Sequence, residues 1–239
     1  TLEEASHFGI LATDRRMVNS DGSGSVVGFD TRYKFNKTYQ VELQTLFSKT
    51  QEPTDSLLVS NETFGDNNTF TFDGESFTGN AIELEFRRET EHWGLEAGYD
   101  HRSPAFRADN GFISNNNQRR VYLQSFWVYT PDNVISKVVG GFHSGIETNF
   151  EGEKKSRYTS FFGNVVLPRQ TRLNVNITVI PFNRFNNIDL ENLWDLRVNM
   201  NSHFNKSFAL GGSFSKGVNT VTFLDIPEKG SSISFSLWT

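Results

Sequence analysis

Residues Trp93 to Thr130 read WGLEAGYDHRSPAFRADNGFISNNNQRRVYLQSFWVYT. The opening segment sets Trp93, Leu95, Ala97 and Tyr99 against Gly94, Glu96, Gly98 and Asp100. The closing segment sets Val121, Leu123, Trp127 and Tyr129 against Arg120 and Gln124. A period of two gives both segments an apolar face and a polar face, the mark of a strand. A connection containing Pro, Asn and Gly joins the two. What the apolar face meets, a protein core or lipid, decides the class of protein.

The same pattern runs outward in both directions. Strands are expected at His7–Met17, Ser25–Phe35, Thr38–Lys49 and Ser76–Thr90 before the stretch. After it they are expected at Val134–Thr148, Arg157–Leu167, Thr171–Asn183, Leu193–Phe204, Ser207–Ser215 and Ser231–Trp238, with Thr220–Ile226 the least regular. These segments exceed the ~5–6 residues of an ordinary strand and match the ~9–11 of a tilted transmembrane one. Turns at Asn36-Lys37, Glu91-His92, Asn133, Pro168-Arg169 and Asn205-Lys206 are short. Connections over Thr50–Gly74, Arg102–Asn117 and Gly217–Gly230 are longer, and Asn149–Lys155 is intermediate. Short turns at one end and long loops at the other are the layout of an outer-membrane barrel.

Charged residues stand in the middle of strands, where they would face a lumen: Asp30, Arg32, Glu42, Glu83, Glu85, Arg87, Glu96 and Arg197. Tyr33, Phe35, Tyr39, Phe47, Trp93, Tyr99, Trp127, Tyr129 and Trp238 lie near strand ends, where interfacial girdles form. The fold expected is all-β: an antiparallel up-and-down transmembrane barrel of about twelve strands, complete or a section of a larger one. The alternatives are a soluble β-sandwich or a lipocalin-like barrel showing its charges to water.

Composition narrows the function classes. The 239 residues contain no cysteine, which excludes a disulfide framework, a thiolate nucleophile and Cys-ligated zinc. A net charge of -5 argues against nucleic acid as a partner. Phenylalanine occurs 23 times and methionine twice, a balance that suits strands. Mean hydropathy is -0.47, and no run reaches the ~18 apolar residues of a membrane helix, which does not bear on a barrel. No signal peptide is visible, so residues 1–239 read as a single domain, a mature form or an excised portion of a longer protein.

Candidate chemistry is sparse. Glu83 and Glu85, with Glu96 on the following strand, fall within the ~5–9.5 Å that separates the carboxyls of a glycosidase. Carboxylates balanced by Arg87, Arg102 and Arg197 in a hydrated lumen account for them better, so no catalytic residue is assigned. His7, His92, His101, His143 and His203 show no metal-ligand spacing. No Ser sits in a Gly-x-Ser-x-Gly elbow, and no Gly-rich loop has a phosphate-binding form. The acidic stretch Gln51–Asp73 offers oxygen ligands of the kind calcium takes, but it lacks EF-hand spacing, and its composition favours a solvated loop. No cofactor and no metal are implied.

The loop Ser103-Pro104-Ala105-Phe106-Arg107-Ala108-Asp109-Asn110-Gly111-Phe112-Ile113 is flanked by aromatics that favour burial. Asp109 is expected to cap a turn and Gly111 to supply unusual backbone angles. Arg107 is expected to reach inward to a lumen carboxylate. A structural loop folded into the barrel mouth is expected, with a ligand site as the alternative.

That loop, with Arg119-Arg120 after it and Thr13-Asp14-Arg15-Arg16 before a Val-Val-Gly-Phe-Asp strand, resembles a bacterial family. It is similar to the C-terminal β-barrel domain of proteins whose N-terminal module is like family 9 carbohydrate-binding modules. The resemblance covers Ile10 to about Tyr129 and carries no catalytic residues. It implies the outer membrane of a Gram-negative bacterium, membrane lipid around the strands and an upstream carbohydrate-binding module as partner. The expected role is transport, or anchoring of that module at the envelope. A carbohydrate-active protein using Glu83, Glu85 and Glu96, and a soluble β-sandwich binding module, are the other readings.

Overall fold

A computed structural model describes residues 6–65, 67–108, 115–131, 134–168, 170–205, 208–223 and 226–239. Among them there is no helix. The strands are β1 (His7–Arg16), β2 (Ser23–Phe35), β3 (Tyr39–Gln51), β4 (Thr63–Phe64), β5 (Asn68–Thr69), β6 (Ser76–Glu89) and β7 (Trp93–Arg102). They continue with β8 (Gln118–Tyr129), β9 (Lys137–Thr148), β10 (Lys154–Leu167), β11 (Thr171–Phe185), β12 (Ile188–Asn205), β13 (Phe208–Val221) and β14 (Glu228–Trp238). All but β4 and β5 form one twelve-stranded sheet in chain order, and β4 pairs with β5 alone. The fold is all-β and up-and-down, with the strand count the sequence periodicity called for. This order leaves no second large sheet among the described residues to serve as the other half of a sandwich.

Local chemistry explains the hairpins. Asn36 and Lys37 both have φ of 52°, and Asn186 and Asn187 have φ of 48° and 61°. Two consecutive left-handed residues make the turn whose twist matches antiparallel strands, and Asn tolerates that region best after Gly. Gly152 (φ 85°) turns the chain between β9 and β10.

Three expectations need correcting. The chain does not leave the sheet between Asn183 and Leu193; β11 and β12 run on to meet at Asn186-Asn187. Gly217–Gly230 is not one long loop, because β13 continues to Val221 and β14 begins at Glu228. For the same reason Thr220–Ile226 is not a separate strand. The turns expected at Asn133, Arg169 and Lys206 involve residues outside the described set.

The registers sort the side chains into two faces. Ile10 stands opposite Phe29, and Phe29 opposite Thr45; Gly9 stands opposite Asp30, and Asp30 opposite Gln44. Further along, Val175, Val198 and Phe214 line up on one face, while Asn174, Asn199 and Ser213 line up on the other. The apolar face is open. Ile10 is 72% exposed and Phe235 68%, and Phe8, Val27, Phe47, Val121, Trp127, Phe161, Ile177 and Ile233 are exposed with them. Only Val26, Phe77, Ala81, Phe106, Leu190 and Leu193 are buried hydrophobics among the described residues.

The chain divides into two compact units. One comprises Thr1–Arg87, Gly98–Val121 and Thr148–Glu153, the other Arg88–Ala97, Tyr122–Glu147 and Lys154–Thr239. In the first, exposed-face aromatics gather at the turn ends of their strands: Tyr33 stacks on Phe35, Phe35 on Tyr39, and Tyr39 lies 6.1 Å from Phe86. In the second, Trp127 meets Phe142 and Phe204 meets Phe208. The second unit also seats rings on glycines. Phe126 lies over Gly94 and Tyr158 over Gly145, where a Cβ would collide with the ring. Its polar face is knitted by neutral pairs, including Ser160 with Thr178 (2.7 Å), Asn164 with Asn174 (2.6 Å) and Ser215 with Ser234 (2.8 Å).

Candidate functional site

Two places in the first unit concentrate polar chemistry. One is the charged face of β2, β3 and β6. Alternation puts Asp30 and Arg32 on β2, Gln40, Glu42 and Gln44 on β3, and Glu83, Glu85 and Arg87 on β6. A cavity of about 230 Å³ is lined by His7, Asp30, Arg32, Glu42, Gln44, Glu83 and Glu85 among others. Ion pairs and hydrogen bonds run through this face. Arg32 Nε donates to Glu42 Oε1 at 2.8 Å, and Gln40 donates to the same oxygen at 2.5 Å. Arg87 Nη2 lies 2.7 Å from Glu85 Oε1, and His7 Nε2 lies 3.0 Å from Asp30 Oδ2. Six of the eight mid-strand charges are thus on this face.

The other two belong to the second unit. Arg197 lies in the second unit on β12 and pairs with Asp195 of its own strand at 2.7 Å. Glu96 is also in the second unit. Glu83 and Glu85 line the cavity of the first unit together. Hydrolysis needs one carboxyl held protonated as an acid opposite a second. Glu85 is instead engaged in an ion pair with Arg87.

The second place is the loop after β7. Ser103 extends the pairing of β7 with β6: its N–H donates to the Asn80 carbonyl at 2.9 Å, and its hydroxyl accepts from the Asn80 N–H at 2.8 Å. His101 Nε2 bonds Asn80 Oδ1 at 2.7 Å, and Tyr99 bonds the other ring nitrogen at 3.1 Å. The chain then crosses Gly79, where a Cβ would strike the backbone of Phe106. Phe106 is 2% exposed, and the Asn116 side chain donates to its carbonyl at 2.6 Å.

Arg107 locks the crossing. Its Nη1 donates to Glu52 Oε1 at 2.6 Å, and its backbone N–H donates to Ser48 Oγ at 3.2 Å. The guanidinium lies 4.7 Å from the Phe77 ring centre and 5.3 Å from that of Phe64. Its carboxylate partner lies outside the strands. It is the first residue after β3, in the stretch read as a solvated loop. Glu52 is 1% exposed, the most enclosed large side chain described. Burial pushes its carboxyl above the usual glutamate value, and Arg107 pulls the other way. Nothing in the sequence distinguishes Glu52 from its acidic neighbours, since its burial depends on the β4–β5 hairpin and Phe64 folding beside it. Asp109, Gly111 and Phe112 of the same loop lie outside the described residues.

A larger cavity, about 800 Å³, lies beside this loop. Phe47, Lys49, Phe77, Asn80, Pro104 and Phe150 are among the residues lining it.

The fold and these sites define an all-β protein whose sheet is charged on one face, apolar and open on the other, with a loop locked onto the end of β3 and β6. No family model matches the chain, and no match is found among curated proteins. Among solved structures, an outer membrane channel from Pseudomonas putida is similar at 12% identity and a TM-score of 0.36, over 99% of this chain and 94% of that one. At that TM-score the likeness decides nothing about the strands or their role.

Proposed function

We propose that this chain is a β-barrel of the bacterial outer membrane, with lipid against its apolar face and its charged face turned inward. The observation that carries this is the exposure of large apolar side chains on one parity of successive strands. A soluble protein rarely exposes apolar area beyond a few hundred Å² in one patch. In a barrel the same alternation is required, since lipid replaces the core. Strands of 10 to 18 residues in the twelve-stranded sheet are long enough to cross, and the stacked rings at their turn ends fit an interfacial girdle.

The role best supported is anchoring, with an attached binding module held at the envelope. Paired charges on the first unit's polar face and a loop locked by Arg107 and Glu52 support a structural role. The runner-up is transport of small polar solutes, favoured by the charge-lined cavity at Asp30, Arg32, Glu42, Glu83 and Glu85. A carbohydrate-active role through Glu83, Glu85 and Glu96 is the less favoured reading, since Glu85 is held in an ion pair with Arg87.

The test uses the tryptophans. Trp127 is 51% exposed on the apolar face, whereas Trp238 bonds Asn201 from the polar face. In vesicles of bromine-labelled lipid, a variant keeping only Trp127 should be strongly quenched and one keeping only Trp238 weakly. Equal weak quenching, or a monodisperse detergent-free monomer, removes the membrane reading. Planar-bilayer recording then separates the roles: a silent membrane supports anchoring, and steady conductance supports transport.

A further inference from the structure

We infer that Glu52, Asp73 and Glu75 form a binding site for one divalent cation held by oxygen, calcium in preference to magnesium. Each residue brings a carboxylate oxygen within 4.8 Å of the other two. A cluster of acids alone would mean little. What distinguishes this one is Glu52: its Oε1 is taken by Arg107, while Oε2 is buried with no hydrogen-bond partner. A buried carboxylate oxygen without a donor carries its full desolvation cost. A cation is the natural group to satisfy it, since no N–H or O–H of the described residues reaches it.

Charge points the same way. Three carboxylates set against one guanidinium leave two negative charges uncompensated within the cluster, the charge of one divalent ion. The backbone already fixes the three residues. Glu52 N–H donates to the Glu75 carbonyl at 2.9 Å, Asp73 is bridged to Thr54, and Gln51 donates to the Gly74 carbonyl. Glu75 N–H donates to Asp73 Oδ1 at 3.1 Å, and Thr69 N–H donates to Glu75 Oε2 at 2.9 Å. One oxygen of each of these two carboxylates therefore has an internal donor that holds it in place.

The donor set selects the ion. Carboxylate oxygens without His or Cys suit a hard cation rather than zinc or copper. Calcium accepts an irregular set of six to eight oxygens, whereas magnesium demands a near-ideal octahedron. A site assembled from one strand end and a turn provides the irregular kind. Binding would tie the Asp73-Gly74-Glu75 turn to the end of β3, and through Glu52 to Arg107 and the locked loop.

The experiment uses the full chain in detergent, freed of metal by chelator. Calcium, magnesium and terbium are titrated separately, with melting temperature and terbium luminescence as readouts. One saturable site per chain is expected, with calcium raising the melting temperature more than equimolar magnesium. Asp73→Asn alters an exposed residue and leaves the Arg107–Glu52 pair in place, so it should fold normally and weaken calcium binding about tenfold or more. Glu52→Gln should abolish it. Absence of saturable terbium binding overturns the proposal. So does wild-type calcium affinity in folded Asp73→Asn, or a magnesium response equal to that of calcium.

Discussion

Arg107 does three things with one side chain: it neutralises a buried carboxylate, lies over two rings, and pins a crossing loop. Removing it leaves Glu52 enclosed without its counter-charge, a change that typically costs about 3–5 kcal/mol. Arg107→Ala should therefore release the segment around Phe106, seen as faster amide exchange at residues 103–108 with exchange in β10–β13 unchanged. Arg107→Lys keeps the charge but loses the planar group beside Phe64 and Phe77. It should recover only some of the protection, and full recovery would show that charge alone holds the loop. Gly79→Ala tests the same lock from below. A Cβ there meets the Phe106 backbone, and overpacking of that kind costs about 1–3 kcal/mol. Exchange at 103–108 should rise although Arg107 and Glu52 are both intact.

At the scale of strands and turns, the Asn36-Lys37 turn offers a clean measurement. Lys37 holds φ of 52°, a region costing an ordinary side chain about 1–2 kcal/mol. Lys37→Gly gives the favoured Asn-Gly pair. Allowing for the greater freedom of Gly in the unfolded chain, the gain should be about 0.5–1 kcal/mol. It would appear as a higher denaturant midpoint with unchanged slope; an unchanged or lower midpoint would mean the turn is not strained. Most strand positions were legible in the sequence because a period of two survives any context. The misread places have physical causes. Asn186 and Asn187 are turn formers, so the strands beside them were expected to stop at Asn183 and start at Leu193. Gly217 made β13 look finished at Ser215, yet the backbone at Trp194 and Asp195 passes close to Gly217. The Arg107 lock was half legible: the flanking rings signalled an inward loop. Its partner lies 55 residues earlier in the chain, and no local pattern points across that gap.

For the molecule as a whole, the decisive contrast is between the environments of its two faces, and neighbouring residues of one strand isolate it. On β14, Phe235 stands opposite Phe214 and Ser234 opposite Ser215, so the two residues take opposite faces. Both are exposed in the structure. If water met both faces, arginine at either position would change stability by no more than about 0.5 kcal/mol, as surface substitutions usually do. If lipid meets the Phe235 face, Phe235→Arg places a charge in hydrocarbon and costs about 2–4 kcal/mol near the midplane, while Ser234→Arg stays in a polar setting. Reversible folding into phospholipid vesicles, followed by denaturant titration, reads the difference directly. Phe235→Arg should fold with a markedly lower midpoint and Ser234→Arg close to the parent chain. Matching midpoints for the two variants would put water on both faces, and the charged cavity at Glu83 and Glu85 would then belong to a protein of another class.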